Sequence, residues 1–168
     1  MARVAEAVSR FIAETDCVVR PEWIDANGHM NLAYYVVAFD LATDALYDVL
    51  GIGQAYRSTT PYSCFTVETH TVYERELLVG ERLRVGAQVL ARDDKRLIYF
   101  HEMFHAETAE RVATQELLAL HIDMRVRRVA PFPDDRRAAI DAVLRQREGM
   151  PLPPGAGRRI ALDRRPRP

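Results

Sequence analysis

Residues 23–50 read WIDANGHMNLAYYVVAFDLATDALYDVL, a short polar cluster followed by a long helical pattern. From Leu32 onward the apolar side chains recur every three or four residues, which is the spacing of one helix face, and Gly51 ends the pattern. The sequence therefore predicts a helix over residues 32–50, with the polar cluster lying where the helix begins.

In this cluster one carboxylate, one imidazole and two amides surround a glycine. The residues are Asp25, Asn27, Gly28, His29 and Asn31. A helix N-terminus presents main-chain N–H groups and the positive end of the helix dipole, so the cluster could stabilise an oxyanion or a carboxylate without a metal ion. The alternative is a helix cap, in which Asn27 or Asn31 accepts a hydrogen bond from the first helical turn.

The remaining sequence predicts an antiparallel sheet. A strand-like run at residues 17–20 precedes the cluster, and alternating apolar and polar side chains follow the helix. This alternation predicts strands at residues 64–73, 82–92, 97–107 and 112–124, with a hairpin turn at residues 93–96. Residues 134–147 have the spacing of a short amphipathic helix. One long helix and consecutive antiparallel strands predict an α+β fold in which a curled sheet wraps the helix.

The length of 168 residues, with 48% hydrophobic and 28% charged residues, is typical of one globular domain. We expect residues 1–150 to form this domain. We expect residues 151–168 to be a flexible basic tail, because five of the nine prolines lie there together with five arginines. The tail carries a charge of +4 and the chain −1, so residues 1–150 carry −5. An acidic domain without a nucleic-acid-reading motif is not expected to bind nucleic acid.

Cysteine usage and hydropathy indicate a cytoplasmic protein without a membrane partner. No apolar run has the length of a signal peptide or of a membrane-spanning helix. Cys17 and Cys64 are too few and too isolated for a disulfide framework or a zinc site, so we expect both thiols to be reduced.

Metal and cofactor chemistry has no support in the sequence. His101 and His105 fall in a predicted strand, where side chains four residues apart stand about 13 Å apart and cannot share an ion. We therefore predict no metal site and no cofactor. The chain also lacks the Gly-x-Ser-x-Gly nucleophile elbow of a Ser-His-Asp hydrolase and a Gly-rich phosphate loop.

Two motifs carry a resemblance to a known family. The run DANGHMN at residues 25–31, followed by Tyr34 and Tyr35, and the segment YERE at residues 73–76 resemble the hotdog-fold acyl thioesterases. The resemblance covers residues 17–133. The placing of Asp25 is similar to that in the 4-hydroxybenzoyl-CoA thioesterase branch, and the Asp-x-Asn-x-His spacing is similar to that of acyl-carrier-protein thioesterases. The flanking residues 23–25 and 99–103 look most like the betainyl-CoA thioesterases of carnitine breakdown.

The resemblance implies a hotdog fold that hydrolyses a short acyl-CoA, with its active site at the interface of a homodimer or homotetramer. By position in the motifs, Asp25 corresponds to the family's essential carboxylate, Asn27 and His29 to the polar pair beside it, and Glu76 to a second carboxylate. Asp25 could act as a general base on water or attack the carbonyl directly. For Glu76 the alternative is an exposed carboxylate at the end of a strand.

The other expected site residues bind the substrate. The main-chain N–H groups of Gly28, His29 and Met30 are expected to form an oxyanion hole. Aromatic rings could line an acyl pocket and hold a trimethylammonium group, and cations at the predicted hairpin turn could bind the CoA phosphates. The predicted substrate contacts are Trp23, Asn31, Tyr34, Tyr35, Arg92, Lys95 and Arg96. The alternatives are core packing for the aromatic residues and a solvated turn for the cations.

Two other functions remain open at this point. The same fold hosts enoyl-CoA hydratases and dehydratases, which act on acyl thioesters without cleaving them. A non-catalytic acyl-CoA-binding regulatory module, with the basic tail contacting a partner, is the alternative from a different class of protein.

Overall fold

The computed structural model describes residues 10–161, which contain six β-strands and three α-helices. The strands are β1 (Ala13–Val18), β2 (Tyr62–Tyr73), β3 (Arg82–Arg92), β4 (Arg96–His105), β5 (Arg111–Asp123) and β6 (Arg128–Val129). The helices are α1 (Leu32–Val49), α2 (Gln54–Thr59) and α3 (Asp134–Gln146), and a 3-10 turn spans Pro21–Trp23.

The strands form one sheet in the order β1-β3-β4-β5-β2, and β6 pairs with the end of β5. All of these pairs are antiparallel. The predicted hairpin joins β3 to β4, and Oδ1 of Asp93 closes its turn by accepting the N–H groups of Lys95 and Arg96 at 2.9 and 2.7 Å. β2 therefore lies at one edge of the sheet and β1 at the other.

α1 covers one face of the sheet and supplies much of the core. Its side chains Phe39, Ala42 and Leu46 are at most 1% exposed, and the helix packs mainly over β1 and β3. Three of the strand pairs contain a register shift, and such irregularities bend strands and increase the local twist of a sheet. The predicted α+β arrangement, with a sheet wrapping a long helix, is confirmed.

The C-terminal segment lies on the opposite face of the sheet. Pro153 is buried, the carbonyl of Pro154 accepts a hydrogen bond from Arg111 at 2.9 Å, and the N–H of Gly157 donates to Glu116 at 2.7 Å. The sequence prediction of a flexible tail did not include these contacts of residues 151–161. Residues 162–168 of that predicted tail lie outside the described residues.

A buried carboxylate on this face of the sheet, opposite α1, binds side chains from several segments. Glu102 is 0% exposed and accepts hydrogen bonds from Gln88 and Arg111, both at 3.1 Å. The guanidinium of Arg10 lies 2.8 Å from Oε2 of the same carboxylate. Because Arg111 also contacts residue 154, this network connects the beginning and the end of the described chain.

His101 and His105 both lie on β4, as the strand pattern predicts. The ring of His101 is fully buried and stacks on Phe39 at 5.7 Å, whereas Nε2 of His105 lies 3.8 Å from Glu81.

The thiols of Cys17 and Cys64 are unpaired. Within residues 10–161, every helix is too short or too polar to span a membrane.

Candidate active site

The polar cluster forms a tight loop between the 3-10 turn and α1. Ile24 and Met30 pair as an antiparallel bridge. Between them the N–H of Asp25 donates to the carbonyl of His29, and the N–H of Gly28 donates to the carbonyl of Asp25, each at 3.0 Å. Gly28 has φ +85°, a left-handed conformation that glycine adopts without a Cβ clash. Main-chain bonds therefore close the loop and fix the positions of its side chains.

The carboxylate of Asp25 is half-buried and oriented by the loop itself. Its Oδ1 accepts the N–H of Asn27 at 2.7 Å, which is a short, charge-assisted hydrogen bond. In the part of the chain that the structure describes, Oδ2 has no hydrogen-bond partner. One oxygen thus holds the carboxylate in place, and the other is available to act on a water molecule or a carbonyl carbon.

A second carboxylate lies next to the loop. The segment after β2 docks there because the N–H of Met30 donates to the carbonyl of Leu77 at 2.7 Å. This docking places Oε2 of Glu76 3.9 Å from Nε2 of His29, and both side chains are accessible, with exposed fractions of 73% and 34%. Four predicted site residues, Asp25, Asn27, His29 and Glu76, therefore lie at one place, although they come from two separate segments of the chain.

The main-chain amides are arranged differently from the predicted oxyanion hole. The N–H groups of Gly28 and Met30 already donate to the carbonyls of Asp25 and Leu77. Of the three predicted donors, only His29 keeps an N–H group without an acceptor among residues 10–161. The N–H group of Leu32, the first residue of α1, has no partner within its helix, and the positive end of the helix dipole lies at this end of α1. Among residues 25–32, the main-chain N–H groups of Ala26, His29 and Leu32 therefore have no acceptor in the part of the chain that the structure describes, and His29 and Leu32 are the nearest of these in sequence to the start of α1.

Asn31 caps α1. Its Oδ1 accepts the N–H of Ala33 at 3.0 Å, and its backbone is extended, as at a helix N-cap. The helix-cap alternative is therefore confirmed for Asn31, and the amide of Asn27 is left exposed.

Three of the predicted aromatic contacts pack close to the loop. Trp23 is 6% exposed and belongs to a buried core cluster; Tyr34 stacks on it at 5.5 Å, and the guanidinium of Arg20 lies 5.5 Å from its ring centroid. Tyr35 is 3% exposed, and its hydroxyl donates to the carbonyl of Arg75 at 3.0 Å. Burial, together with the nearby charge of Glu76, raises the pKa of Tyr35 to about 12.

One aromatic residue at this place was not singled out for substrate contact. The ring of Tyr73, the last residue of β2, meets the ring of Tyr35 edge-on at 5.2 Å. Its hydroxyl donates to the carbonyl of Leu32 at 3.3 Å, and the side chain is 43% exposed. The motif YERE at residues 73–76 was the available signal, but the sequence does not indicate which face of β2 is open.

The predicted phosphate contacts lie elsewhere in the chain. Arg92, Lys95 and Arg96 lie at the β3–β4 hairpin, beyond the C-terminal end of α1, whereas Asp25 precedes its N-terminal end. A helix of 18 residues is about 27 Å long. Arg92 is also paired with Asp141 of α3. A single chain therefore does not bring these cations to the Asp25 loop.

Comparison with known proteins identifies the family. The profile described as the thioesterase-like superfamily matches residues 19–140. The chain belongs to this superfamily. Among curated thioesterase-like relatives, the betainyl-CoA thioesterase of Pseudomonas aeruginosa PAO1 is 34% identical over 155 residues, which cover 92% of this chain and 98% of the relative. An L-carnitine dehydrogenase/betainyl-CoA thioesterase of Agrobacterium fabrum is 40% identical over 84% of this chain, which spans only 29% of that longer protein.

Solved structures agree with this assignment to the thioesterase-like superfamily. A hypothetical protein of Staphylococcus aureus in complex with CoA has a TM-score of 0.81 at 27% identity, covering 89% of this chain and 94% of its own. A protein of Pseudomonas putida KT2440 considered a thioesterase has a TM-score of 0.77 at 33% identity, covering 92% and 98%. The predicted family and the predicted hotdog fold are confirmed.

Proposed function

We propose that this protein is a thioester hydrolase that acts on betainyl-CoA, and that Asp25 activates the attack on the thioester carbonyl. The observation that carries the proposal is the Asp25 carboxylate held at the start of α1 by the N–H of Asn27. Identity of 34% along nearly the whole of a betainyl-CoA thioesterase supports this substrate. The longer relatives that combine this activity with L-carnitine dehydrogenase support a role in carnitine breakdown.

The proposed chemistry uses one carboxylate oxygen and two amides. Oδ2 of Asp25 takes a proton from water as the water oxygen bonds to the carbonyl carbon. The carbonyl oxygen becomes an oxyanion, which the N–H groups of His29 and Leu32 stabilise at the positive end of the helix dipole. The C–S bond then breaks, and the CoA thiolate leaves and takes up a proton. In the alternative, Oδ2 attacks the carbonyl carbon and the C–S bond breaks, which releases the CoA thiolate and leaves a mixed anhydride between Asp25 and the acyl group; water then hydrolyses this anhydride.

We propose that His29 and Glu76 position the water and the substrate around Asp25. Their side chains are close to each other and open to solvent, so a water molecule has access to both. Asn27 contributes through its main chain, because its N–H fixes the Asp25 carboxylate.

A second copy of the chain completes the site in this proposal. β2 is an edge strand, and the side chains of Phe65 and Val67 on it are 37% and 52% exposed. Apolar side chains of α1 are exposed as well: Leu32, Val36, Val37 and Leu41. An open strand edge beside exposed apolar surface is a feature that proteins cover by association. We therefore propose a homodimer formed by antiparallel pairing of β2 with its copy, and two such dimers would give a homotetramer.

This pairing supplies cations for the CoA phosphates. In an antiparallel pair, the Tyr62 end of β2 in one copy lies beside the Tyr73 end in the other. The turn between β5 and β6 adjoins that Tyr62 end, since the guanidinium of Arg125 lies 5.7 Å from the Tyr62 ring centroid. We propose that Arg127 in this turn and Arg128, the first residue of β6, bind the phosphates at the active site of the other copy.

A thiol-release assay tests the proposed function. The purified protein is offered betainyl-CoA, a short aliphatic acyl-CoA and an aryl-CoA, and we expect free CoA thiol with the highest kcat/KM for betainyl-CoA. Turnover of an enoyl-CoA without thiol release would favour the hydratase alternative, and binding without any turnover would favour the non-catalytic module. Sedimentation of the same sample tests the homodimer, for which a monomer at assay concentrations would be the contradicting result.

We also infer that the protein acts in the cytoplasm. The unpaired thiols of Cys17 and Cys64 support this inference, because reduced cysteines are typical of that compartment. Microscopy of a fluorescent fusion in the source cell checks it, and an extracytoplasmic signal would contradict it.

A further inference from the structure

Arginine side chains cover several aromatic rings of this protein. Their guanidinium carbons lie 5.1–6.0 Å from the ring centroids in five pairs: Arg10 and Phe11, Arg20 and Trp23, Arg125 and Tyr62, Arg127 and Phe65, and Arg136 and Tyr56. Within residues 10–161, no such cation lies over Tyr73. This ring is also among the more exposed aromatic rings, at 43%.

The ring of Tyr73 is held rigidly although it is exposed. Its hydroxyl donates a hydrogen bond to the carbonyl of Leu32 at 3.3 Å, and its ring packs against the ring of Tyr35 in an edge-on contact. Tyr35 is in turn fixed by its own bond to the carbonyl of Arg75. Burial raises the pKa of Tyr73 above its ordinary value, so the phenol stays neutral and keeps its hydroxyl donor. A rigid, neutral ring with an open face is pre-organised for contact with a ligand.

The position of this ring matches that of an acyl group bound at the Asp25 loop. The carbonyl of Leu32 accepts the hydrogen bond from the Tyr73 hydroxyl. Leu32 is also the first residue of α1, and its N–H group belongs to the proposed oxyanion hole. Glu76 follows Tyr73 by three residues and lies beside His29. An acyl group whose carbonyl oxygen occupies the oxyanion hole would therefore extend toward the ring of Tyr73. The negative charge of Glu76 lies at the same part of the site.

We propose that Tyr73 is the specificity-determining residue of this site, and that its open ring face binds a quaternary ammonium group on the acyl chain. The proposal rests on the proposed thioesterase function. The negative face of an aromatic ring attracts a cation, and a quaternary ammonium has no N–H group that would require a hydrogen-bond acceptor. Pairing of β2 with its copy uses main-chain groups in the plane of the sheet, so the Tyr73 side chain remains on the face that carries α1.

The test compares two substrates of the same shape. Betainyl-CoA carries a trimethylammonium group, and 3,3-dimethylbutanoyl-CoA replaces its nitrogen by carbon and is neutral. We expect Tyr73→Leu to lower kcat/KM for betainyl-CoA by about 2- to 30-fold, the range for one cation–π contact, and to leave the neutral substrate unchanged. Tyr73→Phe retains the ring and should retain the preference. Phe104→Leu on β4, whose ring packs on Phe11 at 6.0 Å, is the matched control and should change neither substrate.

Equal losses for both substrates in Tyr73→Leu, or no loss for either, would overturn the proposal. Circular dichroism and thermal unfolding of each variant separate a folding defect from a binding defect. Calorimetric binding of the non-hydrolysable thioether analogues of the two substrates distinguishes the failure of this proposal from the failure of the thioesterase proposal. If the wild-type protein binds the cationic analogue more tightly and Tyr73→Leu loses that preference, Tyr73 recognises the cation even without turnover. If wild type binds both equally, the proposal is wrong.

Discussion

Gly28→Ala tests whether the main-chain geometry of the Asp25 loop governs catalysis. Gly28 has φ +85°, and a Cβ built on it would meet no heavy atom within 4 Å. The substitution therefore introduces no clash, and its cost is that of an L-residue in the left-handed region, about 1–2 kcal/mol of the free energy of unfolding. Relief of this strain would turn the N–H of Asn27 away from Oδ1 of Asp25, now at 2.7 Å. A displacement of about 1 Å at a catalytic group lowers kcat/KM by about 100-fold.

Gly80→Ala is the matched control for this prediction. Gly80 also has φ +85° and also has no heavy atom within 4 Å of a built Cβ, but it lies in the turn before β3. Urea unfolding at a fixed protein concentration should show similar losses of stability for the two variants, whereas thiol release should fall only for Gly28→Ala. Full kcat/KM in a destabilised Gly28→Ala protein, or equal losses of activity in both variants, would refute the reasoning.

Two further predictions concern a buried histidine and the phosphate contacts. Burial lowers the pKa of His101 from 6.5 to about 3, so the unfolded chain binds a proton that the folded chain lacks. The free energy of unfolding then falls by up to about 1.4 kcal/mol for each pH unit below 6.5, and His101→Phe should flatten this decline in urea titrations; an unchanged slope would contradict the burial argument. Changing Arg127 and Arg128 together to Gln should raise KM for betainyl-CoA by about 5- to 10-fold without affecting the phosphate-free N-acetylcysteamine thioester. Lys95→Gln is the control, and equal effects on both thioesters would argue against phosphate binding.

The main elements of the fold could be predicted because their signals are local. The apolar spacing from Leu32 predicted a helix over residues 32–50, and α1 spans Leu32–Val49. Alternation likewise predicted β3 at residues 82–92, the bounds that the structure has. The short elements α2 and β6 were missed because six and two residues are too few to establish a period. The buried Glu102 network joins residues from distant parts of the chain, and no local pattern indicates such contacts.

The candidate site, like the fold, has local features that the sequence predicts and other features that depend on packing between distant segments. Asp25, Asn27 and His29 belong to one loop at a helix start, so the sequence placed them together. The open face of Tyr73 depends on how β2 and α1 pack, which residue spacing does not specify. The hydrogen bonds of Gly28 and Met30, which remove their N–H groups from the predicted oxyanion hole, are set by the closing of the loop and its docking to Leu77.

Thiol release from betainyl-CoA by wild-type protein and by Asp25→Asn, measured side by side, tests the central claim most directly. The amide retains an oxygen that can accept the N–H of Asn27, but it carries no negative charge and takes no proton from water. We predict that kcat falls by about 100- to 10,000-fold while the thermal unfolding temperature stays the same. A folded Asp25→Asn protein with kcat close to that of the wild type would show that this carboxylate does not perform the reaction.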